Sequence, residues 1–98
     1  MGVQKEIPPH YKWIVKRVSK VITADTVVES NCNNINILNQ GTDDITISMD
    51  DGQAATFVPD AGFETNNDKD IFEATVYDVK FTGASRAVLV VRTFSYPR

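Results

Sequence analysis

Ile45-Thr46-Ile47-Ser48-Met49-Asp50 alternates apolar and polar side chains without a break. A period of two belongs to a β-strand with one face in a core and the other in water. Ile35 and Ile37 alternate with Asn34 and Asn36 in the same way. No segment holds the i, i+3, i+4, i+7 spacing over enough turns to favour a helix. Trp13-Ile14-Val15, Val18 to Ile22 and Thr26-Val27-Val28 add β-branched and aromatic runs, which fit a pleated surface.

Turn residues punctuate these runs. Ser30, Asn31, Asn33 and Asn34 mark one turn region, and Asn39-Gln40-Gly41-Thr42-Asp43-Asp44 reads as a loop. Asp51-Gly52 between two β runs predicts a two-residue hairpin returning through Gln53 to Val58. Pro59-Asp60-Ala61-Gly62 predicts a turn in which the glycine relieves strain. A long run, Ile71 to Phe81, changes its apolar parity near Val76-Tyr77, which predicts a bulge or a strand passing between layers. Ala87 to Val91, apolar throughout, suits a central strand covered on both sides. Seven or eight short strands with regular turn signals predict an all-β fold: a small antiparallel β-sandwich, jelly-roll-like or Ig-like. The core candidates are Ile35, Ile37, Ile45, Ile47, Phe57, Val79, Phe81, Leu89 and Val91.

Pro8 and Pro9 disfavour a helix, so residues 1–11 read as an extended N-terminal arm ahead of a β-sandwich domain over 12–98. The same stretch lacks the apolar centre of a secretory signal, so synthesis in the cytoplasm without export is expected. No apolar run is long enough for a membrane-spanning helix. The chain is 42% hydrophobic and 23% charged, which argues for a folded domain rather than disorder. Its 98 residues support one modest core.

The net charge is −3, unevenly spread. Residues 1–24 carry five basic groups against Glu6 alone, and residues 25–98 carry five basic and twelve acidic groups. An acidic body is a poor surface for phosphates, so direct nucleic-acid binding is not expected. A basic arm on such a body suits contact with an acidic neighbour, including another copy of the chain.

Residues for catalysis are sparse. The one histidine, His10, lies in the arm, and Cys32 sits among asparagines. A serine or cysteine nucleophile needs a positioned base, and one histidine with one cysteine is too few for a structural zinc site. Asn66-x-Asp68-x-Asp70 opens like a calcium loop but has Ile71 where the glycine belongs and Tyr77 where the closing glutamate belongs. No catalytic residue, metal or cofactor is expected. Tyr11, Trp13, Tyr77 and Tyr96 admit a second reading, an aromatic platform for carbohydrate or a host surface, lost on Trp13→Ala. A third is an adaptor domain that offers a sheet edge to a peptide.

The stretch Ile37-Leu38-Asn39-Gln40-Gly41-Thr42-Asp43-Asp44-Ile45-Thr46-Ile47-Ser48-Met49-Asp50 resembles small β-sandwich proteins of tailed-bacteriophage particles. So does its continuation through Pro59-Asp60-Ala61-Gly62-Phe63, Val79-Lys80-Phe81-Thr82-Gly83 and Ala87 to Val91. The resemblance covers about residues 35–92. It implies a structural role in the virion, as a head decoration, head-fibre, neck or tail accessory protein. The implied partners are like copies, as a trimer or a larger symmetric ring, and other virion proteins. Candidate interface residues are Ile7, Pro8, Pro9, Tyr11 and Trp13, with Arg92, Phe94 and Tyr96 near the other end, since aromatic and arginine side chains are enriched at interfaces.

Overall fold

The computed structural model describes residues 13–50 and 52–97. They form eight strands: β1 (Trp13–Ile22), β2 (Thr26–Glu29), β3 (Asn34–Asn39), β4 (Ile45–Met49), β5 (Ala55–Phe57), β6 (Gly62–Glu64), β7 (Val76–Phe81) and β8 (Val88–Pro97). The arm over residues 1–11 lies outside the described residues, as do its candidates Ile7, Pro8, Pro9 and Tyr11. No helix among the described residues is long and apolar enough to cross a membrane.

The strands make two four-stranded antiparallel sheets, ordered β1-β8-β3-β6 and β2-β7-β4-β5. β1 pairs with β8, β2 with β7, β3 with β6 and β4 with β5. The chain thus doubles back at the β4–β5 turn into one long ribbon, rolled so that successive pairs fall in alternate sheets. This is the jelly roll, the eight-stranded double-sheet arrangement. It decides between the two sandwich types the sequence leaves open.

The core forms where the inner faces meet. Ile22, Ile35, Ile37, Val88 and Val90 project from one sheet, and Val28, Ile45, Ile47, Tyr77 and Val79 from the other. Phe57, Phe63, Phe81 and Phe94 pack at its margin. Phe57, Phe63 and Tyr77 form an aromatic chain, with ring centroids 5.8 and 5.3 Å apart. Leu89 and Val91 are half-buried rather than core. They lie in register with Leu38 and Asn36 on the outer face, so β8 is central in its sheet but covered on one side only.

Three further expectations change. The run Ile71–Phe81 is a strand only from Val76 onward, so its change of parity marks a strand beginning rather than a bulge. Ahead of it the backbone is tied by one bridge, Cys32 to Glu73, and Phe72 is 61% exposed. The Asp51-Gly52 turn is wider than two residues, since β4 ends at Met49 and β5 begins at Ala55. Its positive φ at Asp50 is 49°. In the Pro59 turn it is Asp60, at φ 68°, that takes the left-handed conformation. Gly62 lies within β6, where an added Cβ would run into the backbone of Ile37 and Leu38.

Both ends of the sandwich are closed by buried amides. At one end Asn39, fully buried, donates through Nδ2 to the carbonyls of Asp43 and Phe57, each at 3.0 Å, and accepts from the Gly41 amide at 3.0 Å. Ser85 then docks on the loop. Its hydroxyl accepts from the Thr42 amide at 2.8 Å and its amide donates to the Asp43 carboxylate at 3.0 Å. An added Cβ on Gly41 would lie 2.6 Å from the Ser85 carbonyl oxygen, so only glycine fits. The Asn-Gln-Gly-Thr-Asp-Asp phrase is therefore a lock between two loops. At the other end Asn33 donates to the carbonyls of Lys69 (3.1 Å) and Ile71 (2.6 Å) and accepts from the Ser95 amide (2.8 Å).

Candidate interaction surface

β1 is ten residues long and lies at an edge of its sheet. Its partner β8 is equally long, whereas β3 pairs with β8 only over Val88–Thr93. Trp13–Lys16 and Phe94–Pro97 therefore continue past β3 as a two-stranded ribbon.

Backbone directions on this edge follow from the ladder. The Gln40 amide donates to the Ala87 carbonyl at 2.8 Å, which makes 40 and 87 a hydrogen-bonded pair. In an antiparallel sheet successive residues bond to opposite sides. The odd residues of β8 thus face β3 and its even residues face β1. The Ser95 amide, captured by Asn33 on the β3 side, agrees. On β1 the even residues face β8. Trp13, Val15, Arg17, Ser19 and Val21 turn their N–H and C=O groups to the open edge.

The side chains of β1 are unusual for so small a sandwich. Ile14 (49%), Val15 (41%), Val18 (48%) and Val21 (51%) are all exposed. Apolar residues thus stand on both faces of the strand, and only Ile22 reaches the core. Lys16, Arg17 and Lys20 lie between them with no acidic residue in the strand, and none of the three makes a salt bridge among the described residues. Long apolar edges invite pairing, and lysine is one means of limiting it.

The sequence-derived candidates divide by position. Trp13 is half-buried at the ribbon tip, in register with Pro97 on the outer face. Phe94 and Tyr96 stack on the inner face, with centroids 6.4 Å apart and planes 16° from parallel, opposite Lys16 and Ile14. Arg92 instead holds the two sheets together. Its Nε donates to the Ser30 carbonyl at 3.0 Å and its Nη2 to the Glu29 carbonyl at 2.8 Å. The exposed residues of β1 other than Trp13 were not candidates. Apolar side chains at both parities, interleaved with cations, were the available signal, but strand order is needed to place them on an edge.

One cluster contains the residue types of a catalytic centre. Glu73 accepts from Thr75 Oγ1 and Asn67 Nδ2, each at 2.7 Å, and from the Tyr77 hydroxyl at 3.2 Å. The Thr75 and Asn67 hydrogen bonds hold its carboxyl below the usual range. Burial, with the Glu73 charge beside it, pushes Tyr77 up to about 12. Burial likewise raises the Cys32 thiol, which donates to the Asn34 carbonyl at 3.1 Å. Each group is driven away from titration near neutral pH, the opposite of tuning for acid–base or nucleophilic work. The cluster ties the 66–75 loop to the core. Asn67 also donates through Nδ2 to the Asn33 carbonyl at 3.0 Å, and among the described residues no three His, Cys, Asp or Glu side chains gather as metal ligands.

Comparison with protein-family models, with curated proteins and with solved structures finds no match.

Proposed function

We propose that this chain is a non-enzymatic structural component of a bacteriophage particle, a capsid decoration, head-fibre or neck/tail accessory protein. It assembles as a symmetric homo-oligomer through its β-surfaces and its N-terminal segment, and acts in the virion. The observation that carries the reading is the ten-residue open edge of β1, with exposed Ile14, Val15, Val18 and Val21. A partner strand would satisfy the backbone groups of that edge and cover its apolar side chains. The particle context is supported by the loop-and-strand resemblance over residues 35–92, and jelly rolls are widespread among viral capsid proteins and lectins.

Light scattering over a range of concentrations tests assembly. The expected result is a mass several times 10.9 kDa, reduced by deletion of residues 1–11. A mass of one subunit at every concentration overturns it. Genes for capsid, portal or tail proteins beside this one are expected, and their absence overturns the particle assignment.

The Phe94–Tyr96 stack, with Tyr96 47% exposed, favours the second reading, a carbohydrate-binding module. Glycan-array binding that is lost on Trp13→Ala would support it, and a blank array would remove it.

A further inference from the structure

We propose that β1 of one copy adds to the open edge of β6 in a second copy, so that the β1-β8-β3-β6 sheet continues from subunit to subunit. This rests on the assembly reading and names the two surfaces that meet.

The β6 edge matches β1 in its backbone. The Thr65 amide donates to the Ile35 carbonyl at 3.0 Å and the Asn39 amide to the Ala61 carbonyl at 2.9 Å. Odd residues there bond to β3, so Gly62 and Glu64 direct their N–H and C=O groups outward. The four strands alternate in direction, so β1 of an equally oriented copy lies antiparallel to β6. The side chain of Glu64 is on the outer face, and so are those of Arg17, Ser19 and Val21. Sheet and faces both continue without a flip.

Charge selects this pairing over the symmetric one. β1 carries Lys16, Arg17 and Lys20 and no acid. From Asp50 to Asn67 the chain carries Asp50, Asp51, Asp60 and Glu64 and no base. Two β1 strands meeting across a two-fold would bring like charges together, whereas β1 against β6 brings opposite ones. A register with Arg17 opposite Glu64 sets Ser19 opposite Gly62. An open groove of about 370 Å³ lies along this edge, lined by Asn36, Leu38, Gly62, Phe63 and Glu64. Arg17 and Val21, the diagonal neighbours of Gly62 in that register, have room there. The contact is head-to-tail, and its repeat closes as a ring or grows as a filament.

Light scattering on the full chain and its charge-reversed forms tests this. Arg17→Glu and Glu64→Lys alone should each weaken self-association at least about ten-fold, because each puts like charges across the contact. Mixed in equal amounts they should reassemble, because each then meets its complement. Ser19→Pro removes an amide hydrogen that points away from β8 and that no described residue accepts, so circular dichroism should be unchanged while assembly is lost. Wild-type mass in all three variants, from a chain that does assemble, overturns the β1–β6 contact and leaves the assembly reading intact. Self-association weakened by Arg17→Glu but not by Glu64→Lys, with Arg17→Glu binding wild type as tightly as it binds Glu64→Lys, overturns it in favour of β1 against β1. A wild-type chain that stays a single subunit overturns both.

Discussion

The hydroxyl of Tyr77 donates to the carboxylate of Glu73 at 3.2 Å, and the two groups bind the 66–75 loop to the core. The hydrogen bonds that favour ionised Glu73 make folding sensitive to acid. Its folded-state pKa is lowered, so the stability it supplies is present above the free carboxyl range near 4.5 and is lost as pH falls through the folded value. Thermal melts from pH 6 downward should show the midpoint declining below about 4.5 in the wild type, and Glu73→Gln should flatten that decline.

Tyr77 acts at the other end of the scale. Its pKa is raised to about 12, so its contribution is complete below 10 and lost as pH rises from there toward 12. A gap of that size corresponds to roughly 2–3 kcal/mol. Alkaline denaturation followed by tyrosinate absorbance should place the titration of Tyr77 together with unfolding. Tyr77→Phe should remove the steep dependence at a cost of about 1 kcal/mol at neutral pH.

Asn39→Ala should be the costliest of the polar substitutions. It leaves the Asp43 and Phe57 carbonyls and the Gly41 amide without their partner in a fully buried position. A loss of about 3 kcal/mol is expected in urea denaturation, with the slope unchanged.

Arg92→Met should separate cohesion of the subunit from association. Its guanidinium bonds the carbonyls that end β2, so stability should fall by about 1–2 kcal/mol. The mass of the assembly, measured well below the melting midpoint, should not change.

Cys32 should be inert in the folded protein. It is wholly buried and its thiol is held protonated by that burial. A disulfide reagent at pH 8 should label it only at the rate of unfolding, and in denaturant at once.

The legible part of the fold was what periodicity encodes. Ile45-Thr46-Ile47 and Ile35-Asn36-Ile37 announce strands because one face must be dry. Leu89 and Val91 misled, because an apolar run does not say which parity faces the core, and here Val88 and Val90 do. Asp60 took the strained turn position that glycine was expected to fill, because Gly62 was needed where two backbones press together. Ser30 and the asparagines read as turn residues, and their partners at Glu73, Lys69 and Ser95 lie too far along the chain for local rules to find. The β1 edge was hidden for the same reason, since strand order is a property of the whole roll.

The nested pairing carries a consequence for how the molecule is made. As synthesis proceeds, β4 meets β5 first and β3 meets β6 next, but β1 waits for β8, the last of the eight strands to be made. Until then the most apolar edge of the chain has no mate, and its long-range closure is the slow kind. The nascent protein therefore passes through a stage at which a chaperone, or a sibling chain on the same message, competes with β8 for β1.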